Sequence, residues 1–198
     1  MNFGVDAREA RDLLAAWLAL GLAFTFFYAH VSATTIGAFL ASPGFPVALG
    51  VSLATAGVGF LLHELGHRVV AVRFGQQAAF RADYGLLALA VLGGLAGFLF
   101  AAPGAVVHRG RLTRRQNGLI ALAGPVTNLT LAAVFAPFAF LGVDIAVRGL
   151  TINLLLAGFN MLPVGPLDGN SVRAWSATVY AAVAVPSVAL AAYVLLYV

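Results

Sequence analysis

The chain has 198 residues, of which 62% are hydrophobic and 9% charged, and its mean hydropathy is +0.97. A soluble domain of this size cannot bury so much apolar surface, so lipid is the expected solvent for most of it. Cysteine is absent, which excludes disulfides and thiolate metal sites; the formal charge of +4 rests on arginine alone and reads as residues flanking membrane spans, with no nucleic acid among the expected partners.

The charges are segregated. Asp6, Arg8, Glu9, Arg11 and Asp12 precede an uncharged run over residues 13–62. That start lacks the basic head and short apolar core of a cleaved signal peptide, so the first span is expected to stay as an anchor. Ser42, Pro43, Gly44, Phe45 and Pro46 interrupt the run as a turn, which predicts spans over 13–40 and 46–72. Three later runs without Asp, Glu, Lys or Arg predict further spans over 117–141, 149–165 and 174–198.

Residues 86–102 are also apolar, about 17 residues that would reach ~26 Å as a helix. If they crossed, the arginines would divide between both faces; if they turn back, every arginine except Arg148 lies on the cytoplasmic side. The expected architecture is therefore an all-α membrane protein with five or six transmembrane helices, five being favoured. A re-entrant segment lies between the second and third main spans, with Gly93-Gly94 as the turn of a possible small β-hairpin. Residues 1–198 read as a single membrane-embedded core with no appended soluble domain.

Within the second span the chain reads His63-Glu64-Leu65-Gly66-His67. Four-residue spacing places both imidazoles on one helix face, where two nitrogens can meet one zinc ion, with Glu64 beside them to handle a proton. Two of the four histidines and one of the two glutamates fall within these five residues, inside an apolar helix where an unpaired ionisable group is costly. Catalytic zinc usually takes three protein ligands and leaves a fourth place to water. Arg73 stands where a metzincin would need histidine and no glutamate follows Glu64, so the third ligand comes from His30, His108, Asp83, Asp144 or Asp168. Asp168 is set apart by its surroundings, Asn160-Met161-Leu162-Pro163-Val164-Gly165-Pro166-Leu167-Asp168-Gly169, where prolines and glycines break a helix at the end of an apolar run. His63 and His67 near the end of one span and Asp168 at the end of another can share an ion only if those spans run parallel.

The His63-Glu64-Leu65-Gly66-His67 segment, taken with Asn160, Pro163, Leu167, Asp168 and Gly169 in an Asn-x-x-Pro-x-x-x-Leu-Asp-Gly pattern, resembles the site-2 protease family of intramembrane zinc metalloproteases. Gly124, Pro125 and Asn128 match a Gly-Pro-x-x-Asn stretch that recurs between those motifs, and the likeness covers about 44–169. The stretch 86–107 departs from the family pattern in being longer and more apolar. The resemblance implies that His63, His67 and Asp168 hold one zinc ion and that Glu64 is the catalytic acid and base. It also implies that Asn160 supports substrate or its developing oxyanion, while Asn128 orders helix packing.

The expected activity is hydrolysis of peptide bonds in single-span membrane proteins within the lipid bilayer, by zinc-activated water and Glu64. The alternative is an inactive relative, or a membrane protein that uses the same ligands structurally or for metal transport. The expected location is a prokaryotic cell membrane with the site toward the cytoplasm, water entering by a polar pocket near Arg68 and Asp168.

Overall fold

The computed structural model describes residues 4–98 and 104–197. Its helices are α1 (Ala7–Tyr28), α2 (Ile36–Leu40), α3 (Gly44–Ser52), α4 (Val58–Arg73), α5 (Tyr84–Leu95), α6 (Arg114–Phe140), α7 (Asp144–Asn160), α8 (Asp168–Trp175) and α9 (Ala177–Tyr197). A π-helical turn, Leu53–Gly57, joins α3 to α4 in one rod, and strands β1 (Gln77–Ala82) and β2 (Gly104–Arg109) pair in a two-stranded antiparallel sheet. Among the described residues, four helices are long and apolar enough to cross a membrane: Ala7–Tyr28, Gly44–Arg73, Arg114–Phe140 and Ala177–Tyr197. The α7 helix has 17 residues, or ~26 Å, while α5 has 12, or ~18 Å, well short of a ~30 Å hydrocarbon core.

The cores of the expected spans are helical, but several ends differ. The first helix stops at Tyr28 instead of continuing to 40. His30 takes a left-handed φ of 50°, and the Ser32 amide and hydroxyl bond to Thr35 and Thr34 side chains, giving the backbone partners that compete with a helix. The α7 helix ends at Asn160, five residues before the expected 165, because Pro163 and Pro166 supply no amide hydrogen for its continuation. Asp168 consequently opens a separate helix, α8, rather than closing a span.

The expected hairpin turn at Gly93-Gly94 is not found, since both glycines lie inside α5 and the strands flank that helix. The Asp83 carboxylate caps α5 by accepting from the Leu86 amide at 3.0 Å, and leucine and alanine supply the propensity that outweighs its three glycines. The chain turns later, at Gly97 with φ 74°, where Phe98 N–H donates to Gly93 O at 2.8 Å in a helix-ending loop. Residues 99–102 of the expected re-entrant segment lie outside the described residues.

The chain divides into two compact units. The unit of residues 5–61 and 80–105 is built on α1, whose Ala16, Leu20, Ala23 and Phe24 are buried. Gly94 lets α5 approach the Ala23 carbonyl, and Gly57 lies against Trp17, whose indole N–H donates to Leu53 O at 3.0 Å. Two acids at the start of α1 are buried with partners: Glu9 accepts the Phe80 amide at 3.0 Å, and Asp12 accepts the Tyr84 hydroxyl at 2.8 Å. Asp6 caps α1, and the Glu9 amide together with the Arg81 guanidinium hold its carboxyl below the usual carboxylate range.

The other unit comprises residues 62–79 and 106–198 together with the N-terminal four. Its helices α6, α7 and α9 meet through small residues, with Gly149 against Phe135 and Gly158 against Ser187 and Ala191. Met161 and Val172, both 0% exposed, anchor the α7–α8 loop among Ala121, Trp175 and Ala184.

Because an added Cβ at Gly94 would collide with the Ala23 backbone, Gly94→Val is expected to cost about 2 kcal/mol or more of stability. Thermal unfolding in detergent measures this, and an unchanged Tm would contradict the α1–α5 contact.

Candidate metal centre

On α4 the four-residue spacing stacks the rings of His63 and His67, with centroids 4.6 Å apart and planes at 86°. Their Nε2 atoms approach to 3.0 Å, and Asp168 Oδ2 lies 3.4 Å from each. Among the described residues this is the one group of three or more His, Cys, Asp or Glu side chains arranged to hold a metal ion. The expected ligand set is thus brought together. Of the alternatives, Asp83 caps α5, Asp144 begins α7 and His30 sits in the turn after α1.

The outer nitrogens decide what the inner ones can do. His67 Nδ1 lies 2.7 Å from the Ile120 carbonyl oxygen, which can only accept, so His67 carries its proton there and turns a bare Nε2 inward. His63 Nδ1 lies 2.6 Å from Asn128 Oδ1, again an acceptor, with the same consequence. Asp168 Oδ2 is buried with no hydrogen-bond partner. Three lone pairs therefore point into one small volume and repel unless they share a cation.

The dimensions suit zinc. Tetrahedral ligands at ~2.0–2.1 Å stand about 3.3 Å apart, close to the separations among these three atoms. Room is kept by Gly124 on α6, where a Cβ would come within 2.5 Å of both Nε2 atoms. Gly169 serves the loop likewise, because a Cβ there would strike the carbonyl oxygens of Met161 and Leu162. Gly165 at φ 52° and the Asn170 amide, donating to Gly165 O at 2.7 Å, wind the loop that delivers Asp168.

Glu64 is 7% exposed, and the Val106 backbone of β2 lies near enough to bear on its carboxylate. Asn160 is not joined to the cluster by a hydrogen bond; its amide nitrogen donates to Leu156 O at 2.9 Å, one turn back in α7. Arg68, expected at a water-filled opening, is 4% exposed and donates to Gly4 O at 2.7 Å. Asn128, expected to order helix packing, contacts His63 directly, and behind it stands Asn153, which no sequence motif marks. The available signal was that both are amides in otherwise apolar helices.

No family model matches the chain, and no solved structure matches it. Among curated proteins it is 39% identical to "Putative zinc metalloprotease MJ0611" of Methanocaldococcus jannaschii over 98% of both chains. It is 32% identical to "Putative zinc metalloprotease Rip3" of Mycobacterium tuberculosis, over 82% of this chain and 39% of that one. It is also 34% identical to "Putative zinc metalloprotease YwhC" of Bacillus subtilis, over 58% of this chain and 64% of the relative. The chain belongs to the family of these zinc metalloproteases, in agreement with the likeness of its paired motifs to the site-2 proteases.

Gly124→Ala should strengthen the α6 helix locally yet fill the metal position with a methyl group. Elemental analysis is expected to find the variant folded with its zinc lost, and full zinc occupancy would contradict the geometry.

Proposed function

We propose that the protein is an intramembrane zinc endopeptidase that hydrolyses single-span membrane protein substrates. The carrying observation is the convergence of His63 Nε2, His67 Nε2 and Asp168 Oδ2 on one point, with Glu64 next in sequence to the first of them. Bound there, zinc supplies a Lewis acid for the scissile carbonyl and lowers the pKa of water to roughly 7. Glu64 then takes the proton of the attacking water and passes it to the leaving amine, which balances the hydrolysis without a further acid. Asn160 keeps a second amide hydrogen beyond the one given to Leu156, and in this reading donates it to the oxyanion that develops on the substrate.

A substrate helix hides its carbonyls in internal hydrogen bonds, so it must unwind before it is cut. The Val106 backbone lies near Glu64, which supports entry of an extended substrate segment alongside β2. For the same reason substrates are expected to carry glycine, proline or asparagine near the cut. We place α7 as a fifth crossing and α5 as the re-entrant element, with a cytoplasmic N-terminus and the site opening toward the cytoplasm of a prokaryotic cell. This arrangement is supported by the arginine distribution and by the short reach of α5.

Glu64→Gln preserves shape and removes the base. It is expected to retain zinc while cleavage of a single-span substrate falls by about 10²-fold or more. Undiminished cleavage would reject the assigned role, and wild type without cleavage but with zinc would favour a structural or transport use of the ligands.

A further inference from the structure

The α4 helix has a second working face, centred on Gly66, about 200° around its axis from Glu64. There it meets α6 to form a groove of roughly 710 Å³. Small residues set the floor. A Cβ at Gly66 would come within 2.7 Å of Thr127 Oγ1 and 3.1 Å of Ala123 O, so the helices close together here and larger side chains stand on either side. Leu62, Leu65 and Val69 form one wall, and Leu119, Leu122 and Val126 form the other. Thr127 carries the one hydroxyl in the lining, and it donates to Ala123 O at 2.8 Å. The walls therefore offer a ligand hydrocarbon alone.

One end of the groove differs in kind. Arg73, in the last turn of α4, belongs to its lining, and Arg115 stands one turn before Leu119 on the α6 stripe of positions 115, 119, 122 and 126. The two helices run antiparallel, since His63 meets Asn128 while His67 meets Ile120. From the crossing of Gly66 and Ala123, Arg73 lies ~10 Å along α4 and Arg115 ~12 Å back along α6, which brings both to one level. Both are exposed, and among the described residues neither guanidinium has a hydrogen bond or an ion pair. No carboxylate lines the groove to offset them. The first turn of α6 holds no acid either, so the positive end of its dipole adds to the same sign.

We propose that this groove seats an acyl chain of one anionic phospholipid, whose phosphate pairs with Arg73 and Arg115. The length agrees: from Leu62 to Arg73 the wall runs ~17 Å, close to one leaflet of a ~30 Å hydrocarbon core. A zwitterionic lipid fills the walls equally well but brings a cation of its own toward the arginines. A second copy of the chain is opposed by charge, because a two-fold axis along the membrane normal sets the same arginines against each other at equal depth. The inference needs α4 and α6 to stand in a bilayer, and it is independent of the peptidase reading. The lipid would tie together α4, which carries His63 and His67, and α6, whose Ile120 and Asn128 hold those rings.

The test is native mass spectrometry of the purified full-length chain in a nonionic detergent, titrated with phosphatidylglycerol or with phosphatidylcholine of the same chains. Wild type is expected to retain one phosphatidylglycerol about tenfold more tightly than phosphatidylcholine, and Arg73→Gln with Arg115→Gln to bring the two lipids within about twofold. Val126→Trp fills the groove from an exposed position and keeps both arginines; it is expected to weaken retention of both lipids about fivefold or more. Val126→Phe serves if the tryptophan variant fails to fold. Equal retention of the two lipids by wild type would overturn the assignment. A preference that survives loss of both arginines, or retention unchanged in the filled groove, would overturn it too. Lipid indifference together with a dimer, or with a retained single-span peptide, that Val126→Trp abolishes would give the groove to a second copy or to a protein partner instead.

Discussion

Three unshared lone pairs meeting inside an apolar helix assembly form the constraint around which the site unit is arranged. Two imidazole nitrogens and a carboxylate oxygen lie 3.0 to 3.4 Å apart, where mutual repulsion is relieved only by a cation. Much of the local structure follows from keeping them there. Gly124 leaves the space open, Ile120 and Asn128 hold the rings from behind, and the proline-bearing loop after α7 brings Asp168 to the same depth. The surrounding hydrocarbon makes this arrangement consequential, because any of these groups left unpaired in lipid would cost several kcal/mol.

The chemistry assigned to the site grows from its asymmetry. His63, His67 and Asp168 define the metal position, while Glu64 and the nearby strand β2 stand where water and substrate are proposed to meet. Strand backbone needs hydrogen-bond partners, and the pairing of β1 with β2 meets part of that demand. In the other unit, buried Glu9 of α1 accepts the Phe80 amide of β1 and serves the same need.

What could be read from the amino-acid order depended on the range of the interaction that decides it. His63 and His67 were legible because a helix fixes their spacing covalently, and Asp168 because the surrounding prolines and glycines announce a break in an apolar run. Helix ends were less legible: the stop at Tyr28 is set by a hydroxyl network at Ser32 and Thr35 that hydropathy does not register. Gly93-Gly94 was misread because glycine serves both a turn and a close helix contact, and the contact with Ala23 is visible only after folding. The hydrogen bonds that join His63, Asn128 and Asn153 lay furthest out of reach, as the three residues come from three different helices and no spacing rule connects them.

Zinc K-edge X-ray absorption on the purified wild-type chain tests the shared-cation account most directly. Expected is a four-coordinate ion with two imidazole nitrogens and one carboxylate oxygen at ~2.0–2.2 Å, completed by a water oxygen. A spectrum with fewer than two imidazoles, or with no carboxylate in the first coordination sphere, would contradict it.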